Sequence, residues 1–205
     1  MAHRDNYMIQ AAQAKERFLT YDQQALTDKF HLKQDEDFLY VRLLGQEYRI
    51  RRNSGDMERC RDGVWVDGNS YNEVMTILDL VCDSREDRHP SGEWKSMQSF
   101  GLMFHQNLLE DKKDPWAERF QADMAGLHRA CRALGGEELP SADISYAFDL
   151  FDGLKLCLQF WEGDEEFAPR IRWLWDGNAR MYIKYETMHF AVGLVLERIQ
   201  ENMPQ

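Results

Sequence analysis

The feature that most constrains the fold is an apolar alternation on both sides of Asp152-Gly153. Every second residue is apolar over 144–150, and the same phase continues over 154–160. A period of two is typical of a β-strand with one buried face, and Asp-Gly favours the tight turn of a β-hairpin. A third apolar alternation covers 170–175. The sequence therefore predicts an antiparallel meander of three strands in this part of the chain.

A second region, residues 36–67, also predicts hairpins. Apolar and aromatic residues fill 38–44 and 47–51 on either side of Gly45, and Asp62-Gly63 precedes the short run Val64-Trp65-Val66. Glycine in the connection between two such runs is a hairpin signal. The first arm of the second hairpin is polar, so its turn is better defined than its strands.

Helices are predicted where apolar residues recur every three to four positions and a capping residue precedes them. Ser70 with Glu73 forms a capping-box pattern, and Thr20 with Gln23 forms another. Pro115 follows Asp114 as a first helical residue, which favours a long helix that ends at Gly135-Gly136. The predicted helices cover the N-terminal thirty residues with a restart at 23–30, the segment after Ser70, residues 98–109 and 115–134, and a closing segment around 188–199.

The order of these elements predicts an α+β protein with a mainly antiparallel sheet, formed by the hairpin region and the three-strand meander and packed with several helices. No strand–helix–strand alternation with glycine-rich turns occurs, which argues against a parallel sheet. At 205 residues the chain fits one domain. We expect a single α+β domain over 1–205, divided into N-terminal helices at 1–35, the hairpin region at 36–67, a helical part at 70–134, and the meander with its closing helix at 142–200.

The charge of the chain excludes two classes of partner. The formal net charge is −11, whereas binding to nucleic acid or to an anionic membrane needs clustered lysine and arginine. The charge is also uneven: residues 137–166 contain nine acidic side chains and Lys155, and residues 41–61 contain six arginines and three acidic side chains. The two segments could face each other, the arginines could bind an anion, or both could be solvated surface.

The cysteines predict no metal site. Cys60, Cys82, Cys131 and Cys157 are more than twenty residues apart, so local spacing for a zinc ribbon or an iron–sulfur cluster is missing. The histidines also lack recognisable ligand spacing. We therefore predict no cofactor, apart from a divalent cation on the acidic loop described next. Reduced, mostly buried thiols and the lack of an apolar leader or membrane-spanning run predict a cytoplasmic protein.

The acidic loop is the best chemical candidate. Glu162, Asp164, Glu165 and Glu166 lie between two apolar strands. Their oxygens could hold Mg²⁺ or Ca²⁺, or a crowded carboxyl could transfer protons. The loop could equally recognise a partner, or be a solvated turn that keeps two apolar strands soluble.

A second candidate is a surface for a ligand or a partner. Trp161 is out of phase with Phe160, so it lies on the opposite face of its strand, and Trp94 follows a charged loop. The basic hairpin adds paired guanidinium groups, which suit phosphate or carboxylate. The candidate surface is Trp94, Trp161, Arg49, Arg51 and Arg52.

Several motifs resemble a bacterial and archaeal family known as the domain of unknown function 3786 family. They are Leu134-Gly135-Gly136 at a helix end, the segment WEGDEEFAP at 161–169, Ser91-Gly92-Glu93-Trp94, and Leu44-Gly45-Gln46-Glu47-Tyr48. The resemblance covers nearly the whole chain and is most specific at 163–167. It implies no established activity and assigns no functional residue. Some members are joined to an iron–sulfur module like those of corrinoid proteins, but the cysteines of this chain cannot supply such a cluster.

Three hypotheses about function follow. The favoured one is a non-catalytic accessory domain that binds a small molecule or a protein through the Trp161 and arginine surface. The second is a metal-assisted or acid/base enzyme in which the loop carboxylates meet a further group such as Asp149 or His105. The third is a homo-oligomeric structural protein with a large apolar interface. The oligomeric state is left open.

Overall fold

The computed structural model describes residues 2–101 and 114–203, with side chains from residue 6 onward in the first range. Helices combine with antiparallel sheets, so the predicted α+β class is confirmed. The chain divides into two compact units, which are Met1–His89 with Met181–Leu194 (the first unit) and Pro90–Arg180 with Val195–Gln205 (the second unit). The single domain over 1–205 stays a prediction.

The first unit combines helices with a sheet in the order β1-β2-β3-β4-β5, so each strand pairs with the next one along the chain. All of its strand pairs are antiparallel, as hairpin connections require. Its elements are α1 (Ala2–Phe18), α2 (Gln23–Phe30), β1 (Lys33–Gln34), β2 (Phe38–Leu43), β3 (Gln46–Arg51), β4 (Met57–Arg61), β5 (Val64–Asp67) and α3 (Tyr71–Asp83).

Both predicted hairpins of the first unit are confirmed. Leu44-Gly45 joins β2 to β3 and Asp62-Gly63 joins β4 to β5, and all four residues have φ between 51° and 79°. Positive φ at both central residues matches the right-handed twist of the strands, and glycine adopts it without strain. One face of the sheet is buried through Leu39, Val41, Ile50 and neighbouring apolar residues.

The capping box of α3 forms as predicted. The Ser70 hydroxyl accepts a hydrogen bond from the main-chain nitrogen of Glu73, and the Glu73 carboxylate accepts one from the main-chain nitrogen of Ser70. The restart of α2 differs from the prediction, because Asp22 caps this helix. The Asp22 carboxylate accepts hydrogen bonds from the main-chain nitrogens of Gln24 and Ala25. The Thr20 hydroxyl instead donates to the carbonyl of Arg17.

The second unit contains the predicted meander, in a sheet with the order β6-β10-β9-β8-β7. Asp152-Gly153 forms the predicted turn with positive φ at both residues. The register places Ile144 opposite Phe160, and Phe160 opposite Ile171. The edge strands β6 and β7 were not predicted. The strands are β6 (Trp94–Ser96), β7 (Glu137–Glu138), β8 (Ile144–Phe151), β9 (Leu154–Trp161) and β10 (Arg170–Asp176).

The predicted long helix at 115–134 is wrong as one element. It is two helices, α4 (Pro115–Ala122) and α5 (Met124–Ala133), separated at Asp123. Asp123 has φ −144° and ψ 70°, and its carboxylate accepts a hydrogen bond from the Gly126 nitrogen at 2.7 Å. The Asp123 side chain thus competes with the helical main chain for a hydrogen bond, and a new helix starts within the apolar stripe.

The remaining helices also differ in extent from their predictions. Residues 97–100 form a 3-10 turn, and the rest of the helix predicted at 98–109 lies outside the described residues, as does His105. The closing helix is α6 (Tyr185–Asn202). It is longer at both ends than the predicted apolar stripe. Among the described residues, no helix is long and apolar enough to cross a membrane.

Aromatic side chains fill the core of the second unit. Phe120 of α4 meets Phe160 edge to face, with ring centroids 6.2 Å apart. Trp175 is fully buried, whereas Trp173, two residues earlier in β10, is only half-buried. The helices α4 and α5 therefore cover the face of the sheet that carries Phe160. The T-shaped contact between Phe120 and Phe160 favours one orientation of α4 on this sheet.

The capping of α3 leads to a testable prediction. Ser70→Ala removes the acceptor for the Glu73 nitrogen, and should lower the free energy of unfolding by about 1 kcal/mol. Ser96→Ala is the matched control, because Ser96 precedes the 3-10 turn without making a capping hydrogen bond. Urea unfolding followed by circular dichroism measures both. Equal losses for the two variants would contradict the assigned cap.

Candidate ligand-binding site

The predicted acidic loop connects β9 to β10 and is closed by Asp164. The Asp164 Oδ1 atom accepts hydrogen bonds from the main-chain nitrogens of Glu166 and Phe167, both at 2.8 Å. The Phe167 amide and then the Glu166 amide hold the pKa of Asp164 below its ordinary value. The loop is therefore a compact turn in which this aspartate binds the main chain of its own segment.

Among the described residues, the loop carboxylates do not meet Asp149, and His105, the other predicted partner, lies outside the described residues. Glu162, Asp164, Glu165 and Glu166 are all exposed. Asp149 is exposed and lies opposite Lys155 in the register of β8 and β9. Over the described ranges 2–101 and 114–203, no group of three or more His, Cys, Asp and Glu side chains is arranged to hold a metal ion. The metal and acid/base interpretations of this loop stay predictions.

The two tryptophans of the predicted surface lie beside opposite ends of β10, with Trp94 opposite Asp176 and Trp161 opposite Arg170. Trp94 begins β6 and is 39% exposed. The loop before it is held by Asp176, whose carboxylate accepts hydrogen bonds from the nitrogens of Ser91 and Gly92. Trp161 ends β9 and is half-buried, with the guanidinium of Arg170 4.4 Å above its ring. Arg170 therefore covers part of the Trp161 ring face that was predicted to bind a ligand.

The three predicted arginines are in the first unit and bind its own side chains. The guanidinium of Arg49 lies 4.3 Å from the Phe38 ring and forms an ion pair with Glu58. The guanidinium of Arg51 also stacks on Phe38, 4.5 Å from its ring centroid. Arg52 donates to the Gln23 side chain and to the carbonyl of residue 35. These partners stabilise the outer face of the sheet, and anion binding there stays a prediction.

Sequence reasoning missed a cluster of charged side chains at the end of α3. Asp79 and Asp83 are four residues apart, so they lie on one face of the helix. The helix α1 supplies Arg17, the turn after α1 supplies Tyr21, and the segment before α6 supplies Lys184. The capping box and the apolar spacing alone predicted this helix, and neither aspartate was singled out as a candidate. Two aspartates at this spacing in an apolar helix were the available signal.

Asp83 is the most strongly bound member of this cluster. Its Oδ2 atom lies 2.7 Å from Arg17 Nη2 and accepts a hydrogen bond from Lys184 Nζ. Its Oδ1 atom accepts one from the Tyr21 hydroxyl at 2.6 Å. Three donors from three parts of the chain thus meet on a single carboxylate, and hydrogen bonds to an ionised group are the stronger kind.

Asp79 is more deeply buried than Asp83. Its side chain is 4% exposed, and both of its oxygens contact Lys184. Oδ1 lies 3.0 Å from Nζ, and Oδ2 accepts a hydrogen bond from the main-chain nitrogen at 2.8 Å. The Ser84 hydroxyl, which donates to the carbonyl of Tyr182 at 2.8 Å, holds the two segments together nearby. Lys184 is therefore fixed by its main chain as well as by its charge.

The two carboxyl groups differ in pKa for physical reasons. Burial raises the pKa of Asp79, and its hydrogen bond with Asp83 adds to this effect. Burial also opposes the ionisation of Asp83, but the hydrogen bonds from Lys184 and Tyr21 outweigh it and lower the pKa of Asp83 to about 2. Burial and the bond to Asp83 raise the pKa of Tyr21 to about 12, so the phenol remains a donor. Burial and hydrogen bonding thus shift the pKa values of the two neighbouring carboxyl groups in opposite directions.

A cavity of about 480 Å³ opens onto this cluster, and we call it the charged cavity. Arg17, Asp79 and Lys184 lie on its polar side together with Gln10, Gln13, Glu186 and Thr187, and its apolar wall is Ala14, Met75 and Phe190. All of these residues belong to the first unit. The volume is within the range of about 300–1,000 Å³ that is usual for small-molecule sites.

One protein family matches most of the chain. The family described as Domain of unknown function (DUF3786) matches residues 22–198. The chain belongs to the DUF3786 family. This confirms the resemblance seen in the sequence motifs. No curated protein and no solved structure matches the chain.

The DUF3786 match includes most of the charged cavity but not all of it. Asp79, Asp83 and Lys184 lie within the matched residues, together with the acidic loop. Arg17 and Tyr21 lie before the first matched residue. The carboxylates and the lysine are therefore in the part of the chain that the family describes, and α1 adds the guanidinium.

The cluster predicts a pH-dependent loss of stability for Asp83→Asn. At about pH 7 the variant should lose about 1–3 kcal/mol of unfolding free energy, because the donors lose a charged acceptor. The folded pKa of Asp83 is below the ordinary value near 4, so its contribution is present above about pH 4 and fades as the pH falls toward 2. Urea unfolding at about pH 7 and about pH 2.5 should therefore show a difference between wild type and variant that shrinks in acid.

The matched control is Asp87→Asn. Asp87 also pairs with an arginine, Arg85, but both side chains are exposed. Solvent screens such pairs, so this variant should change stability little at either pH. A loss for Asp83→Asn that is independent of pH, or a similar loss for the control, would contradict the role assigned to the cluster.

Proposed function

We propose that this chain is a non-catalytic domain that binds a small molecule in the charged cavity. The observation that supports it best is the lining of this cavity. One wall carries the Asp79 carboxyl, which is 4% exposed, with the cations Arg17 and Lys184, and the other wall carries apolar side chains. Sites for small molecules combine mostly apolar walls with a few placed polar groups. The favoured hypothesis from the sequence, an accessory binding domain, is kept, and the proposed binding site moves from the Trp161 and arginine surface to the charged cavity.

The hydrogen bonding of the cluster supports binding rather than catalysis. Asp83 accepts hydrogen bonds from three donors, and both oxygens of Asp79 contact Lys184. A general base needs an oxygen that can take a proton from the substrate, whereas these oxygens already hold donors of the protein. The cluster is thus suited to fix the positions of Arg17 and Lys184 against a ligand.

The location of the proposed domain also follows from its side chains. The four cysteines are free, and Cys82, Cys131 and Cys157 are buried. Burial raises the pKa of both Cys82 and Cys131 to about 12, so these thiols resist ionisation. Unpaired thiols are usual in a reducing compartment, which supports our proposal of a cytoplasmic bacterial protein.

A cavity-filling variant tests the proposed function. Met75→Trp places a larger ring on the apolar wall, and should lower the affinity of bound fragments by about tenfold or more. The measurement is saturation-transfer NMR and calorimetry on the full chain with a library of small aromatic acids, amines and alcohols. Val64→Trp is the matched control, because Val64 is 62% exposed on β5 and is not part of the cavity.

The expected result is that at least one class of fragment binds the wild type and the Val64→Trp variant but not Met75→Trp. Thermal unfolding shows whether each variant is folded. Binding that is equal in all three proteins would place the ligand elsewhere. Failure of every fragment to bind would also overturn the proposal, and would favour the oligomer hypothesis if native mass spectrometry showed a dimer.

A further inference from the structure

We propose that the ligand of the charged cavity is a small carboxylate with an apolar body, and that Arg17 and Lys184 bind its carboxylate. This inference rests on the proposed function and adds the class of ligand. It depends on three properties of the cavity: hydrogen-bond donors that the described residues do not use, the two cations, and the aromatic support of the apolar wall.

The guanidinium of Arg17 has donors that the described residues do not use. Arg17 contacts the cluster through Nη2 alone, at 2.7 Å from Asp83 and 4.0 Å from Asp79. Within residues 2–101 and 114–203 no hydrogen bond or ion pair involves its Nε or Nη1 atoms. Lys184 Nζ has three protons and contacts two carboxylates. A carboxylate can accept two parallel hydrogen bonds from a guanidinium, so it fits the unused edge of Arg17.

Two cations of the cavity can attract an anionic ligand. Arg17 and Lys184 are both cationic, and their contacts with the carboxylates raise the pKa of each against the opposing effect of burial. Burial raises the pKa of Asp79, which disfavours the charged form of this carboxyl. A carboxylate of the ligand adds a negative charge next to Arg17 and Lys184 in a partly desolvated place, where a charge needs a partner.

Glu186 defines a second position for charge. It is exposed at the start of α6 and also lines the cavity. A ligand with an ammonium group next to its carboxylate could pair with Glu186 while Arg17 binds the acid. Plain carboxylates and amino acids share the chemistry that Arg17 and Lys184 recognise, and they differ at Glu186.

The apolar wall is supported by stacked aromatic rings. Phe190 meets Tyr71 edge to face with centroids 4.9 Å apart, and Tyr71 meets Tyr7 at 4.7 Å. The Tyr71 hydroxyl donates to the Gln10 side chain, which ties α1 to α3 at this end of the cavity. Because Phe190 is held in this way, it presents a fixed face to the body of a ligand.

The test compares ligands with one body and different head groups. The probes are 3-phenylpropionate, 3-phenylpropan-1-ol, 3-phenylpropylamine and phenylalanine, titrated into the full chain by calorimetry at neutral pH. The structure predicts that 3-phenylpropionate binds about tenfold or more tightly than the alcohol, since hydrogen bonds to charged groups are the stronger ones. The amine should bind more weakly than the alcohol.

Arg17→Met tests the residue that carries the inference. The carboxylate should lose about tenfold or more in affinity, whereas the alcohol should bind as in wild type, which shows that the cavity is intact in the variant. Arg132→Met is the matched control, because Arg132 also binds a carboxylate, that of Glu138, at 2.9 Å on the surface of the second unit. It should leave all four affinities unchanged.

The outcomes separate this inference from the proposed function. If the alcohol or the amine binds at least as tightly as the carboxylate and Met75→Trp abolishes that binding, the site is correct and the ligand class is wrong. The same conclusion follows if Arg17→Met weakens the alcohol and the carboxylate equally. Tighter binding of phenylalanine than of 3-phenylpropionate supports a carboxylate whose ammonium contacts Glu186, and weaker binding supports a plain acid.

Discussion

The charged network around Asp83 connects parts of the first unit that are far apart in the sequence. This carboxylate binds Arg17, Tyr21 and Lys184 together, so α1 and the segment before α6 meet at the end of α3. A buried ion pair adds little net stability compared with apolar packing, because desolvation opposes its attraction. Removing one partner, however, leaves a charge without compensation. The main effect of the network is therefore to define which arrangement of these segments is allowed.

A second buried carboxylate fixes the other end of α3. Glu73 accepts hydrogen bonds from the Ser70 nitrogen and the Tyr48 hydroxyl, and lies 3.8 Å from the guanidinium of Arg59. The helix is thus attached to the sheet at its start and to the charged network at its end. Met75 lies between these two attachments and forms part of the cavity wall. A wall held at both ends is preorganised, which reduces the entropy lost when a ligand binds.

Local signals made much of the fold predictable from the sequence. Asp152-Gly153 and Asp62-Gly63 specify turns through their own φ preferences, and Ser70 with Glu73 specifies a helix start through neighbouring atoms. The break at Asp123 was not predictable in this way, because its carboxylate could have pointed to solvent within a continuous helix. The deciding factor was competition between a side-chain acceptor and the helical main chain.

The candidate site was less predictable, for a related reason. Asp79 and Asp83 are close in sequence, but their partners Arg17 and Lys184 are more than sixty and more than one hundred residues away. Nothing in the local pattern shows that two cations and a phenol converge on them. The acidic loop, in contrast, was conspicuous in the sequence because its charges are consecutive, and consecutive charges on a turn are those that water solvates best.

The lengths of the outer strands have a consequence for how these sheets behave in a crowded cell. In the first sheet the outer strands are β1, with two residues, and β5, with four; in the second they are β6, with three, and β7, with two. A neighbouring chain that tried to add a strand would find only a few free main-chain groups to pair with. The long apolar strands β8 and β9, which resemble segments that form amyloid, have a neighbour on each side. The fold thus protects its most aggregation-prone segments by placing short strands beside them.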